Sequence, residues 1–349
     1  MKRLAVAVLL AMASCSGEDP PEDFTDVHND PANTTGVQFQ TPVFEVAQGV
    51  ESQDCYFFNM PDLNNGQDYW IDHVRLGSNP GSHHANVFRV KTIVALGTPE
   101  QGDFVDDGEC FKSANWADWP LVVNNQNDTA EAGKGYFDWQ LPSGVAYKFS
   151  PGERIMVQTH YVNASTQTTP YHGRVALDFY RSSLPNPIEM GTLFATQQSI
   201  RICRSNQTPT YHGSCAFNKG GVTIAAANGH FHSRGTKFEI LKWDGVTAER
   251  PDTSSLFYTS TKWDDPPMTI YQDPGAMQVA EHGGVWWSCA YEWSEPLAEV
   301  GGCAALDAAD KQQAGDCCYT FGPKVETSEH CNAFVYYYPK VDRTDITCF

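Results

Sequence analysis

The chain has 349 residues, 41% hydrophobic and 12% aromatic, with 28 glycines and 21 prolines, enough for two ordinary domains with real cores and many turns. Its formal net charge is −19, and loss of Lys2 and Arg3 with a leader would leave it more negative. That balance argues against nucleic acid as a partner and against docking to an anionic membrane through a basic surface.

Met1-Lys2-Arg3 and the apolar run Leu4 to Ala13 read as an export leader, too short to span a bilayer. Met12-Ala13-Ser14-Cys15 resembles a lipobox, which would make Cys15 a lipid anchor; Ala11-Met12-Ala13 as an ordinary cleavage site is the alternative. Cysteine parity favours the anchor, because 11 cysteines less Cys15 leave an even set that can pair in an oxidising compartment. Sequons at Asn33, Asn127, Asn163 and Asn206 fit a eukaryotic secreted chain as well. The division expected is a leader over 1–15, an acidic tether over 16–36 with too little apolar surface to fold, and two domains over 37–183 and 184–349. Arg181 to Pro187, with two prolines and no alternation, forms the boundary.

From Val37 onward, short alternating runs are separated by turn residues. Arg154 to Val162, Arg174 to Tyr180, Lys237 to Trp243, Val285 to Trp293 and Asn332 to Tyr338 are predicted strands, and no segment holds a helical period beyond about two turns. The predicted fold class is all-β, built from antiparallel sandwiches. Ser294 to Ser328 reads as an inserted loop with its own Cys303, Cys317 and Cys318. Cys55 and Cys110, both in the first half, make the simplest disulfide. Pairing among Cys203, Cys215, Cys303, Cys317, Cys318 and Cys348 stays open, with vicinal Cys317 and Cys318 read as staples in two directions.

Six of the 11 histidines sit in four strand-like motifs: Gly81-Ser82-His83-His84, Gln158-Thr159-His160-Tyr161, Gly229-His230-Phe231-His232 and Glu329-His330-Cys331-Asn332. Three imidazoles with an open position form a minimal catalytic metal site. On a strand, His230 and His232 share a face, as do Gln158 with His160 and His330 with Asn332. Neighbours His83 and His84 reach one metal only at a bulge or strand end, which Gly81-Ser82 permits. His28, His73, His172, His212 and His282 have no such context and read as structural or surface residues.

In this order, the four motifs resemble the copper type II, ascorbate-dependent monooxygenases, the family of dopamine β-hydroxylase and peptidylglycine α-hydroxylating monooxygenase, over roughly Cys55 to Pro339. Arg234-Gly235 and Tyr336-Tyr337-Tyr338-Pro339 add to the likeness. The resemblance implies two jelly-roll-like sandwich domains facing across a solvent-filled cleft, each holding one of two copper ions. His83, His84 and His160 would bind the electron-supplying copper; His230, His232 and His330 would bind the oxygen-activating copper. It implies catalytic positions near the substrate for Gln158 and Asn332, and disulfides Cys289–Cys331 and Cys215–Cys348. The implied reaction hydroxylates an activated C–H bond of a small organic substrate, with dioxygen and with ascorbate or another one-electron donor as reductant.

Two departures matter. His330 stands where the family has a methionine, replacing a soft thioether that favours Cu(I) by a third imidazole. Asn228 and Phe334 replace the arginine and tyrosine with which the peptide-amidating branch grips a carboxylate, so peptide amidation is not implied. Two rivals follow: an exported copper-binding protein that keeps the scaffold without hydroxylation, and a metal-free sandwich used for recognition. Neither substrate identity nor oligomeric state is written in the sequence.

Overall fold

The computed structural model describes residues 35–349 except 80, 91–101, 103, 106–109, 111–118, 126–135, 164–169, 218–219, 265, 311, 313–314 and 342–344. The leader, Cys15 and nearly all of the tether lie outside the described residues, as do His28, Asn33 and Asn127.

The chain is all-β. Arg154–Val162 and Asn332–Tyr338 are strands at the expected bounds, and the other three predicted runs shift by a residue or two to Val175–Arg181, Gly235–Trp243 and Gly284–Tyr291. A short helix, Gly302–Ala309, lies in the predicted inserted loop. Among the described residues, no helix is long and apolar enough to cross a membrane.

In the first half, a six-stranded sheet centred on Tyr69–Ser78 packs with a five-stranded sheet ordered Phe104–Val105, Glu51–Asn59, Arg154–Val162, Ser82–Arg89, Leu121–Asn125. One apolar core takes Ile71, Val74 and Leu76 from the first and Phe57, Val87, Ile155 and Val157 from the second. The second half repeats this plan. Its six-stranded sheet contains Val222–His230, Asn332–Tyr338 and Gly191–Thr196, and its four-stranded sheet contains Thr210–Ala216, Gly284–Tyr291, Gly235–Trp243 and Leu256–Ser260. Its core gathers Phe231, Phe238, Ile240, Trp287 and Tyr337. After the Arg181 to Pro187 boundary, Ile188–Glu189 still pairs with Val145–Ala146 of the first half.

Ten cysteines close five disulfides: Cys55–Cys110, Cys203–Cys318, Cys215–Cys348, Cys289–Cys331 and Cys303–Cys317. Vicinal Cys317 and Cys318 do staple in two directions. Five bridges place the folded chain in an oxidising environment. Asn163 is fully buried and donates its amide to the Val46 carbonyl at 2.9 Å, so that sequon is no glycan acceptor in the folded chain; Asn206 is exposed.

The two halves pack directly on one another. The first core continues into Phe194, Ala225, Ala226, Phe334 and Tyr336 of the second half. Trp139 meets Tyr336 edge-on, with ring centroids 5.1 Å apart. The Tyr336 hydroxyl accepts the Asn124 backbone N–H at 2.9 Å, and Thr192 donates to the Leu121 carbonyl. The central strand Arg154–Val162 is buried on both faces from Ile155 to Tyr161, whereas a strand in a free-standing antiparallel sandwich wets one side. On that strand Gln158 is covered by Cys110 of the first half, whereas the His160 ring faces the second half, 6.5 Å from that of His232.

Replacing Tyr336 by Phe removes the acceptor of a buried backbone N–H and should destabilise the fold by about 1–3 kcal/mol. Denaturant unfolding of the oxidised protein measures this, and an unchanged midpoint would show that the Asn124 N–H is satisfied elsewhere.

Candidate metal centre

Four chain segments deliver the six motif histidines to one place. His84 stands opposite His160 in the antiparallel pair of Ser82–Arg89 with Arg154–Val162, and the next partners are Tyr161 and Ser82. His83 is therefore the extra residue of a bulge, which turns its ring to the same side as its neighbour's. The ring centroids lie 5.4 Å apart for His83–His84, 5.0 Å for His83–His160 and 4.8 Å for His84–His160. Their donor atoms all fall within 4.8 Å of one another.

The second group forms at strand ends. His230 closes Val222–His230 opposite Asn332, His232 follows it, and His330 lies two residues before the start of the strand Asn332–Tyr338. Packing dictates the flanking glycines: a Cβ at Gly235 would lie 1.7 Å from the Phe231 ring, and one at Gly229 would lie 2.3 Å from Phe238. Phe231 and Phe238 in turn stack at 6.1 Å. His330 is fixed from behind by the Cys289–Cys331 bridge and by the Tyr291 hydroxyl, which donates to its carbonyl at 2.5 Å. The rings of His230, His232 and His330 stand 4.4–5.1 Å apart.

The expected solvent-filled cleft between the two groups gives way to contact. His83 lies 5.1 Å from His230 and 5.7 Å from His232, and His84 lies 5.1 Å from His230. None of the six rings belongs to a residue more than 7% exposed. The physical reason is the apolar and amide contact between the halves, which brings the rings of the two groups to within 5.1 Å.

Burial and the other imidazoles pull His83, His84, His230 and His330 well below the ordinary histidine value, and burial takes His232 down to about 4. At neutral pH these rings are uncharged, the form that ligates metals. Two ring orientations follow from the partners. His232 Nδ1 lies 2.9 Å from the Ser328 carbonyl, which can only accept, so the ring proton is on Nδ1 and Nε2 presents its lone pair. His160 Nε2 donates to Glu51 at 2.8 Å, leaving Nδ1 as its lone-pair atom. His83 Nε2, His160 Nδ1, His230 Nδ1 and His232 Nε2 are all buried without a hydrogen-bond partner.

Two carboxylates outside the predicted site hold this arrangement. Burial would raise Glu51, but the His160 ring and the Val325 N–H hold it below the usual carboxylate range. Lys324 also donates to the Glu51 carbonyl at 3.1 Å, so this residue ties a first-half ligand to a second-half loop. Glu329 accepts from the His232 and Arg234 backbone N–H groups at 2.8 and 2.7 Å, while burial pushes its carboxyl up to about 8.

Gln158, expected near substrate, is fully buried; its amide accepts from Asn86 at 2.9 Å and reaches the Cys110 sulfur at 3.9 Å. From there a chain of amides crosses the halves: Asn124 donates to Asn86, and Asn228 donates to Asn124 at 2.5 Å. Asn86, Gln158 and Asn228 each lie two residues from a motif histidine, on the same strand face. That amide-x-histidine spacing was present in the sequence as a signal. Asn332 has a buried carbonyl oxygen with no hydrogen-bond partner. Phe334 packs on Phe194 with centroids 5.2 Å apart, inside the core.

The remaining histidines described stand apart. His73 bonds Asp138 at 2.5 Å, His172 lies 3.9 Å from Glu45, His212 stacks on Trp286, and His282 is exposed. A further grouping of Cys203, Asp316 and Cys318 has the look of a ligand set, but its two sulfurs are bonded to each other and offer no thiolate.

No protein-family model matches the chain, and no curated protein matches it. Among solved structures, the major capsid protein P2 of bacteriophage PM2 aligns at 9% identity and TM-score 0.31, covering 86% of this chain and 97% of that one. The PBSX exported protein XepA aligns at 8% identity and TM-score 0.19, covering 73% and 87%. The VP2 subviral particle of infectious bursal disease virus aligns at 9% identity and TM-score 0.21, covering 90% and 76%. Overlaps this weak carry nothing to the site, whose reading rests on its own geometry.

Replacing Glu51 by Ala frees the His160 ring and, if the six histidines hold a metal ion, should lower affinity for that ion about 10- to 100-fold, read by competition with a chelator. Glu51→Gln keeps an oxygen acceptor and should restore most of the loss; equal affinity in all three proteins would remove Glu51 from the centre.

Proposed function

We propose that this chain is an exported copper-dependent monooxygenase, hydroxylating an activated C–H bond of a small organic substrate with dioxygen and with ascorbate or another one-electron donor. The observation that carries the proposal is the set of six buried imidazoles, of which His83, His160, His230 and His232 each have a ring nitrogen with no hydrogen-bond partner. Buried polar nitrogens without partners are costly unless a ligand satisfies them. A purely imidazole donor set, without thiolate, suits copper, zinc or iron. Copper, when bound, supplies the one-electron and dioxygen chemistry that side chains lack.

The residues divide the work. His83, His84 and His160 form one donor group, and His230, His232 and His330 the other. The Ser328 carbonyl and Glu51 hold the ring protons of His232 and His160 on the nitrogens facing away from the cluster. The Asn332 carbonyl oxygen, opposite His230, is free to accept a hydrogen bond from a substrate hydroxyl or amine. Gln158 serves as a positioning residue through Asn86. Exclusion of bulk water by the packed halves protects reactive species from side reactions. The ten paired cysteines leave Cys15 as the odd one, which supports lipidation there and attachment at a cell envelope.

A second reading keeps the copper and drops the hydroxylation: an exported copper-binding protein. The near-complete burial of all six rings favours it, together with the imidazole of His330 in place of a thioether.

Copper analysis of the reconstituted, dialysed protein should give two ions per chain. Reductant-dependent hydroxylation should follow across a panel of phenethylamines and other compounds with activated C–H bonds. Bound copper with no product across the panel would leave the binding reading. Replacing His330 by Met should raise the reduction potential, because a thioether favours Cu(I); an unmoved potential in redox titration would remove His330 from tuning the metal.

A further inference from the structure

The six rings do not separate into two independent groups of three. His83 sits 5.0 Å from His160 and 5.4 Å from His84 in its own half, and 5.1 Å from His230 and 5.7 Å from His232 in the other. Two sets of donor atoms, His83–His84–His160 and His83–His230–His232, are each contained within 4.8 Å, and His83 belongs to both. A metal held by imidazole sits about 2 Å from the nitrogen, so an ion in either set touches the His83 ring. His330 stands beside the second set without joining its 4.8 Å grouping: its Nδ1 hydrogen-bonds His230 Nε2 at 3.1 Å, and its ring is 4.4 Å from that of His232.

We infer that the six histidines form one dinuclear centre, in which two copper ions lie close enough to share a bridging ligand beside His83. This inference rests on the copper reading above. The donor set imposes one electrostatic condition. Neutral imidazoles supply lone pairs but no negative charge, so two adjacent divalent ions repel unless something anionic stands between them. The ligand class that fits is a small bridging anion of the size of hydroxide or azide. Paired metal sites that clamp one small ligand have separations of about 3.5–4 Å, which the spacing around His83 accommodates.

The test is electron paramagnetic resonance of the full mature protein loaded with Cu(II) and dialysed, alongside its copper content. A bridged pair is expected to give two coppers per chain with a spin intensity well below the copper content. Azide added as the probe should perturb both ions together. In His83→Ala, the intensity per bound copper should recover, and the signal of copper held by His230, His232 and His330 should change although none of these was altered. Two coppers with full, additive spin intensity, unaltered in form at the second group by His83→Ala, would overturn the pair and leave the copper reading standing. One copper per chain would likewise overturn the pair. No bound copper would overturn both.

Discussion

Bringing six imidazoles together away from water is the constraint on which the rest of the molecule depends. A buried polar atom with no partner costs about 1–3 kcal/mol, and ring nitrogens of His83, His160, His230 and His232 are among those in that position. For His83, His230 and His232 protonation offers no escape, since burial and the neighbouring rings hold them below the ordinary histidine value. Such an arrangement persists only when the surrounding structure over-determines it. The two apolar cores, the disulfides and the direct packing of the halves do so.

The scaffold transmits this constraint through specific groups. Glu51 grips His160 and, through Val325 and Lys324, the loop that ends in Ser328 and Glu329. That same loop fixes His232 through the Ser328 carbonyl and the Glu329 carboxyl. Beneath the rings, the amides of Gln158, Asn86, Asn124 and Asn228 bond in series from one half to the other. A buried amide chain bonded in series across the halves favours one mutual placement that apolar contact alone leaves adaptable. The spacing of the rings is accordingly set by hydrogen bonds at several points, and no single strand controls it.

The sequence disclosed the local features and missed the long-range ones. Alternation along Arg154–Val162 and Asn332–Tyr338 marks strands because the side-chain period of two survives in central strands that carry one polar face. The bulge at His83 was legible because adjacent histidines can share a site only if the pleat is broken after Gly81-Ser82. The contact between the two histidine groups was not, since it depends on which strand face the second half covers. Glu51 is a lone acid at the start of a strand, and nothing in its neighbours distinguishes it from a solvated one. Glu329 stood inside a quoted motif, but its burial depends on tertiary packing. The helix Gly302–Ala309 buries only Leu306, too little apolar periodicity to give a helical signal.

The bridge between Cys289 and Cys331 bears on how the protein matures. Cys331 lies between His330 and Asn332, and the bridge ties all three to the strand Gly284–Tyr291. A nascent chain with free thiols lacks that tether, and His330 is then held only by weaker contacts to Tyr291 and its neighbours. Completion of the histidine cluster is thereby made sequential to oxidation of the chain.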